Sequence, residues 1–200
     1  MDAQTQARED LAAIRRLMED GQRVVNTAGP HFVAWGLLTS AALAATYVLA
    51  GRGETGRITL AWGVAVGLGW LASLALTVVE GRREQVRSAT GRILGGVWAG
   101  TGVTMMLLGF AAPAGGGVDT AVITGVLAAV MGGGFFATGL LVGRRWMQAA
   151  AVAWWAGALA MLLWPGPHGL LVTAGLVLIL QTLPGLWLML RSRRAAVAIA

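Results

Sequence analysis

The 200-residue chain has no cysteine and no lysine, and charged residues make up only 12% of it. The lack of cysteine excludes disulfides, thiolate metal sites and cysteine nucleophiles. Soluble domains carry about 25% charged residues, so this composition excludes an ordinary soluble protein. The formal charge of +6 comes from fifteen arginines that stand mostly between hydrophobic runs. Because the basic residues do not share one soluble face, nucleic acid binding is excluded.

Long apolar runs dominate the rest of the chain. A hydrocarbon core about 30 Å thick requires roughly 20 apolar residues per helical crossing, and backbone groups in lipid must bond within their own segment. The sequence therefore predicts an all-α polytopic membrane protein. Its six transmembrane helices are expected at about 32–50, 58–79, 93–112, 120–143, 148–164 and 169–190.

The arginines predict the orientation, since short cytoplasmic loops are enriched in basic residues. Thirteen fall on one predicted side: Arg8, Arg15, Arg16, Arg23, Arg82, Arg83, Arg87, Arg92, Arg144, Arg145, Arg191, Arg193 and Arg194. The other side has only Arg52 and Arg57. We expect a bacterial cytoplasmic (inner) membrane protein with both termini cytoplasmic and three in-out-in hairpins. Whether the hairpins form a true repeat stays open.

The chain divides into three parts. Residues 1–29 are expected to form a cytoplasmic amphipathic helix, 30–194 the six-helix transmembrane bundle, and 195–200 a cytoplasmic tail. In the first part an apolar stripe covers about 120° of a helical surface, and it consists of Leu11, Ile14, Leu17 and Met18. With the flanking Arg15 and Arg16, these residues are the predicted partner-binding surface, for the chain's own cytoplasmic loops, a second copy or a soluble protein.

The leader "LAAIRRLME", a glycine about ten residues later, and the tryptophan-glycine opening of the first span carry a resemblance. This pattern resembles a set of small bacterial multi-helix membrane proteins with a similar leader and no assigned activity. Some of those are encoded beside winged-helix regulators, so the resemblance implies a soluble partner. It covers about 30 residues of the chain.

Glycine numbers thirty, and several glycines recur at four-residue spacing. Small residues one turn apart let membrane helices approach closely. The predicted helix-packing positions are Gly63, Gly67, Gly91, Gly95, Gly96, Gly100, Gly139 and Gly143. We expect most of them to pack within the chain rather than in a dimer seam.

Ionisable residues held inside a membrane usually indicate function, but the predicted spans contain none in their middle thirds. No catalytic motif and no metal-binding motif is present, so we expect no enzyme activity, no metal and no cofactor. His31 is the one weak candidate for cofactor binding. His31 and His168 are expected on opposite sides of the membrane.

The most polar stretch within a span is "LQTLPG", residues 180–185. Pro184 frees a backbone carbonyl and favours a kink, beside Gln181 and Thr182. Two interpretations stay open for Gln181, an interhelical hydrogen bond and contact with a solute.

These observations favour a non-enzymatic membrane protein that acts by association through its leading helix. One alternative is a small transporter or channel for a neutral or lipophilic solute, using the Gln181–Pro184 kink. A second alternative is a cofactor-binding redox subunit.

Overall fold

The structure, a computed structural model, describes residues 5–6, 8–9, 11–16, 25, 28–81, 89–111, 114–116 and 120–197. All regular secondary structure within these ranges is helical. Six helices are long and apolar enough to cross a membrane, with mean hydropathies between 1.4 and 1.9. The prediction of an all-α membrane protein with six candidate spans is confirmed.

The six helices are numbered here in chain order. Their bounds are α1 Gly29–Gly51, α2 Thr55–Gly81, α3 Ala89–Met106, α4 Thr120–Val142, α5 Arg145–Leu163 and α6, which begins as His168–Val177. Two helices contain a π-helical segment. Leu107–Ala111 extends α3, and Leu178–Thr182 joins the first part of α6 to its second part, Leu183–Val197.

The ends of the bundle differ from the expected boundaries. Gly29 and Pro30, expected to precede the first span, form the first turn of α1 instead. Proline is tolerated there because the first N–H groups of a helix have no intrahelical acceptor. At the other end α6 continues to Val197, so the first three residues of the predicted tail, 195–197, are helical.

Tight turns connect α1 to α2 and α4 to α5. Gly143 has φ +66°, a left-handed conformation that suits glycine. Its N–H donates to the carbonyl of Leu140 (3.4 Å), and the Arg144 N–H donates to that of Gly139 (3.0 Å), which is a Schellman motif. Gly53, with φ +73°, ends α1 in the same way. Gly143 is therefore a turn residue, which corrects its predicted role in helix packing.

The π-helical segment of α6 lies directly before Pro184. A proline ring clashes with the carbonyl one turn earlier and provides no N–H to it. The helix widens there, and the Leu183 N–H donates to the carbonyl of Leu178, five residues back. The predicted irregularity in this span thus takes the form of a π turn.

The helices are packed unequally. The α4–α5 hairpin has the most extensive interface, while α1 packs against α2 and against both parts of α6. Within the described residues, the extensive helix contacts of α2 are with α1, and those of α3 are with α4. The fold therefore has a central group, α1, α4, α5 and α6, and two peripheral helices, α2 and α3.

An aromatic cluster marks the centre of the packed region. Phe135 of α4 contacts Phe32 of α1 (ring centroids 6.0 Å apart), Trp98 of α3 (5.5 Å) and Trp154 of α5 (6.4 Å). Phe135 and Trp154 are fully buried. These rings bring four helices together, and edge-to-face or offset pairs add stability beyond the buried area.

Candidate functional site

The predicted partner-binding surface is in part described by the structure. Residues 11–16 are helical and exposed. Leu11 is 66% exposed and Ile14 is 54% exposed, so the bundle covers neither side chain. Arg15 and Arg16 are also exposed. The other two members of the stripe, Leu17 and Met18, lie outside the described residues.

Gln181 and Thr182 are buried at the contact between α6 and α1. The Gln181 Nε2 donates to the Phe32 carbonyl of α1 at 3.5 Å. The Thr182 hydroxyl donates to the carbonyl of Val177 at 3.3 Å, across the π turn. Both side chains thus bind backbone groups inside the bundle, and this geometry favours the interhelical interpretation of Gln181. Pro184 follows at the start of the second part of α6.

The seam between α1 and α6 depends on residues without bulky side chains. An added Cβ at Gly185 would stand 2.7 Å from the Phe32 Cβ and 3.0 Å from the Gly29 carbonyl oxygen. An added Cβ at Gly36 would overlap the Thr182 hydroxyl. The two backbones therefore approach more closely than any side chain at these glycines would allow.

Five of the predicted packing glycines do not contact another helix among the described residues. Cβ atoms added at these positions would have nothing within 4 Å, and the positions are Gly63, Gly67, Gly95, Gly96 and Gly100. They face away from the chain on α2 and α3, which corrects the expectation of packing within the chain. A position that faces lipid carries no free-energy penalty in a membrane, because lipid tails are as apolar as the side chains of a neighbouring helix.

Two other predicted glycines behave differently. An added Cβ at Gly139 would lie 2.9 Å from the Gln148 Cγ and 3.0 Å from its backbone nitrogen. Gly139 is therefore a true close-approach position of α4 against α5. Gly91 lies in the first turn of α3.

The prediction from four-residue spacing missed the spacing of the glycines that contact a neighbouring helix. In α4, Gly125, Gly132 and Gly139 are seven residues apart, and all three face α5. The ring of Trp155 lies over Gly132, and its Nε1 donates to the Ala129 carbonyl at 3.1 Å. Seven-residue spacing, readable in the sequence, keeps small residues on one seam of a left-handed helix pair.

The histidines lie far apart. His31 is in the first turn of α1, whereas His168, at the start of α6, contacts Tyr47 near the end of α1, with ring centroids 6.3 Å apart. Sixteen residues of helix separate His31 from Tyr47, about 24 Å at 1.5 Å per residue. Within the described part of the chain, no group of three or more His, Cys, Asp or Glu residues is placed to bind a metal.

Five tryptophan rings are distributed over several helix contacts, and they belong to Trp35, Trp70, Trp98, Trp154 and Trp155. Trp35 pairs edge-on with Trp70 between α1 and α2, at 6.2 Å. Trp155 contacts Phe136, at 5.3 Å, and Trp98 and Trp154 belong to the aromatic cluster. The rings therefore serve several helix contacts.

Comparison with known proteins gives no relative: no family model matches the chain, and no curated protein or solved structure is similar to it.

Proposed function

We propose that this chain is a non-enzymatic membrane protein that acts by association through the apolar stripe of its leading helix. The exposure of Leu11 and Ile14 carries the proposal. Their neighbours Arg8, Glu9 and Arg15 are exposed and charged, so the two apolar side chains form a small patch with a polar rim. Apolar patches with polar rims are typical of protein-binding surfaces.

The partner is a second copy or a soluble cytoplasmic protein. Between Asp2 and Gly29 there are five acidic and four basic residues, whereas a helix that lies on anionic lipid is usually basic. This balanced charge favours a protein surface over the membrane surface. The resemblance of the leader to those bacterial membrane proteins supports a regulator as the soluble partner.

The proposal includes an orientation. Both termini are cytoplasmic, and the spans form three in-out-in hairpins in the bacterial inner membrane. Arg144 and Arg145 lie at the α4–α5 turn, and Arg52 lies at the α1–α2 turn. The proposed topology puts these two turns on opposite sides of the membrane. Arginines are more numerous on the side that would carry the α4–α5 turn. Under the positive-inside rule this supports a cytoplasmic position for that side.

A pair of matched substitutions in the full chain tests the association. Ile14→Glu places a charge in the stripe, whereas Ala12→Glu places the same charge on the opposite face of the helix. We expect Ile14→Glu to weaken association at least about tenfold, the effect of 1.4 kcal/mol, and Ala12→Glu to leave it unchanged. The measurement is cross-linking and affinity capture from membranes, with analytical ultracentrifugation in detergent for self-association.

A label distinguishes protein contact from lipid contact. Because the chain has no cysteine, a single cysteine at position 14 can carry a nitroxide. Immobilisation that disappears when the partner is removed agrees with the proposal. A label that stays accessible to lipid-soluble oxygen with or without partner, together with unchanged association of Ile14→Glu, rules the proposal out.

A further inference from the structure

A cavity separates α1 from α2 midway along the hairpin. Its volume is about 210 Å³. The walls are formed by Ala41, Ala42 and Ala45 of α1 and by Ala61 and Ala65 of α2, with one leucine and one valine. All of these side chains are apolar, and most are alanine, so the walls carry no polar side chain that would hold water.

Two tryptophan hydrogen bonds join α1 to α2 near this cavity. The Trp62 Nε1 of α2 donates to the Thr46 hydroxyl of α1 at 2.9 Å, and the Trp35 Nε1 of α1 donates to the Ser73 hydroxyl of α2 at 2.8 Å. On α1 the wall residues lie between these two bonds. The alanines of α1 between these two bonds have short side chains that do not fill the gap between the helices.

The open side of the cavity faces the surroundings of the bundle. Ala41 and Val64, which form its edges, are exposed. The extensive contacts of α2 within the described residues are with α1, and Phe110 in the π-helical segment of α3 contacts Trp62, with ring centroids 5.7 Å apart. An empty cavity would forfeit dispersion contacts on its walls, whereas a hydrocarbon chain entering from the side would restore them. An apolar cavity of about 150 Å³ holds a benzene molecule, so this one accommodates several carbons of a chain.

Charge at the end of the hairpin identifies the rest of the ligand. Arg52 follows α1 seven residues, or two turns, after Ala45, and is therefore on the same face. Arg52 lies about 10 Å from Ala45 along the axis of α1. Arg57 is one turn before Ala61 on α2 and forms an ion pair with Glu54. Arg52 is exposed and is placed to attract an anion at headgroup depth.

The geometry points to a phospholipid site: one acyl chain occupies the alanine-lined cavity, and Arg52 binds the phosphate of the same molecule. The sites for the acyl chain and for the phosphate lie along one face of α1. Their order matches the order of acyl chains and headgroups in a bilayer. The site is separate from the leading helix, so this inference does not depend on the proposed association.

Native mass spectrometry of the full-length protein tests the site. The protein is delipidated in mild detergent and offered palmitoyl-oleoyl phosphatidylglycerol, oleate or glycerol phosphate. We expect one retained phospholipid per chain, weaker retention of oleate, and none of glycerol phosphate. Arg52→Gln should weaken retention about two- to fivefold, the range for an exposed charge contact.

Substitutions that fill the cavity provide the decisive comparison. Ala61→Leu with Ala65→Leu, or Ala41→Leu at the exposed edge, should reduce retention at least about tenfold. Ala50→Leu, on the opposite face of α1, adds the same volume as Ala41→Leu and should retain lipid as the original chain does. The inference is overturned if the original chain retains no phospholipid, or if both filled variants retain as much as Ala50→Leu. Equal retention of phospholipid by the original chain and by Arg52→Gln would overturn the Arg52 contact.

Discussion

α4 and α2 have almost the same mean hydropathy, 1.9 and 1.8, yet 50% of the α4 span is buried compared with 11% of the α2 span. α3, with a hydropathy of 1.6, is only 6% buried. In water, apolar surface drives helices together, but in a membrane the lipid tails are equally apolar. Hydropathy therefore predicts which segments cross the membrane and does not predict which of them pack.

Glycine placement accounts for the difference between these helices. The close contacts of α4 with α5 occur at glycines spaced by seven residues, and those of α1 with α6 at Gly29 and Gly36, also seven apart. The pairs Gly63–Gly67 and Gly96–Gly100 on the peripheral helices have no described atom within 4 Å of an added Cβ. What stabilises the central group is thus the approach of backbones along continuous seams.

The largest effect is expected at Gly185. Gly185→Ala would place a Cβ against the backbone of α1, 3.0 Å from the Gly29 oxygen and 3.1 Å from the Val33 nitrogen. Backbone atoms cannot move aside as a side chain does, so α1 and α6 would have to separate. We expect the free energy of unfolding to fall by about 3 kcal/mol, near the upper end for overpacking. Titration with sodium dodecyl sulfate in mixed micelles, followed by circular dichroism, measures it.

The matched control is Gly175→Ala in the same helix. An added Cβ at Gly175 has nothing within 4 Å, and alanine is favoured over glycine in a helix by about 1 kcal/mol. This variant should be neutral or more stable. Equal destabilisation by both substitutions would contradict the close approach of α1 and α6.

A smaller effect is expected at Gly132. Gly132→Ala would displace the Trp155 ring and break the bond from its Nε1 to the Ala129 carbonyl. Because a side chain can adjust more readily than a backbone, we expect a loss of about 1–2 kcal/mol. Unfolding titrations and the tryptophan emission spectrum measure the change.

Gly133→Ala is the neighbouring control, since an added Cβ there has nothing within 4 Å. Adjacent positions on one helix face different surroundings, so the two substitutions should differ clearly in unfolding free energy. If they do not, the α4–α5 seam is less closely packed than the structure has it.

The sequence predicts the spans well and the packing poorly. All six helices begin within four residues of the expected start of their span, because length and hydropathy determine a crossing. Gln181 and Pro184 were also recognised as the site of an irregular α6. The glycine prediction relied on four-residue spacing, which occurs equally on exposed and packed faces. Four-residue spacing does not tell which face meets a neighbour, whereas the seven-residue spacing of Gly125, Gly132 and Gly139 follows the face of α4 that meets α5.

The same limit applies to the candidate sites. The stripe at Leu11 and Ile14 was predictable because its periodicity is local. The cavity between α1 and α2 was not, since it lies between helices joined by two bonds, Trp62 to Thr46 and Trp35 to Ser73. Trp35 and Ser73 are 38 residues apart in the sequence. The sequence alone does not distinguish the alanines that line the cavity from the other alanines of these helices.

The smallest effect is expected on the peripheral helices, at Gly63 and Gly67. Replacing both with leucine adds bulk that meets only lipid, because added Cβ atoms there have nothing within 4 Å. The free energy of unfolding should rise by about 0–1 kcal/mol from helix propensity, and self-association should not change. Unfolding titration and analytical ultracentrifugation measure the two quantities. Weaker self-association of this variant would contradict the lipid-facing position of α2. It would mean that a second copy covers α2 and that the peripheral helices form an interface of their own.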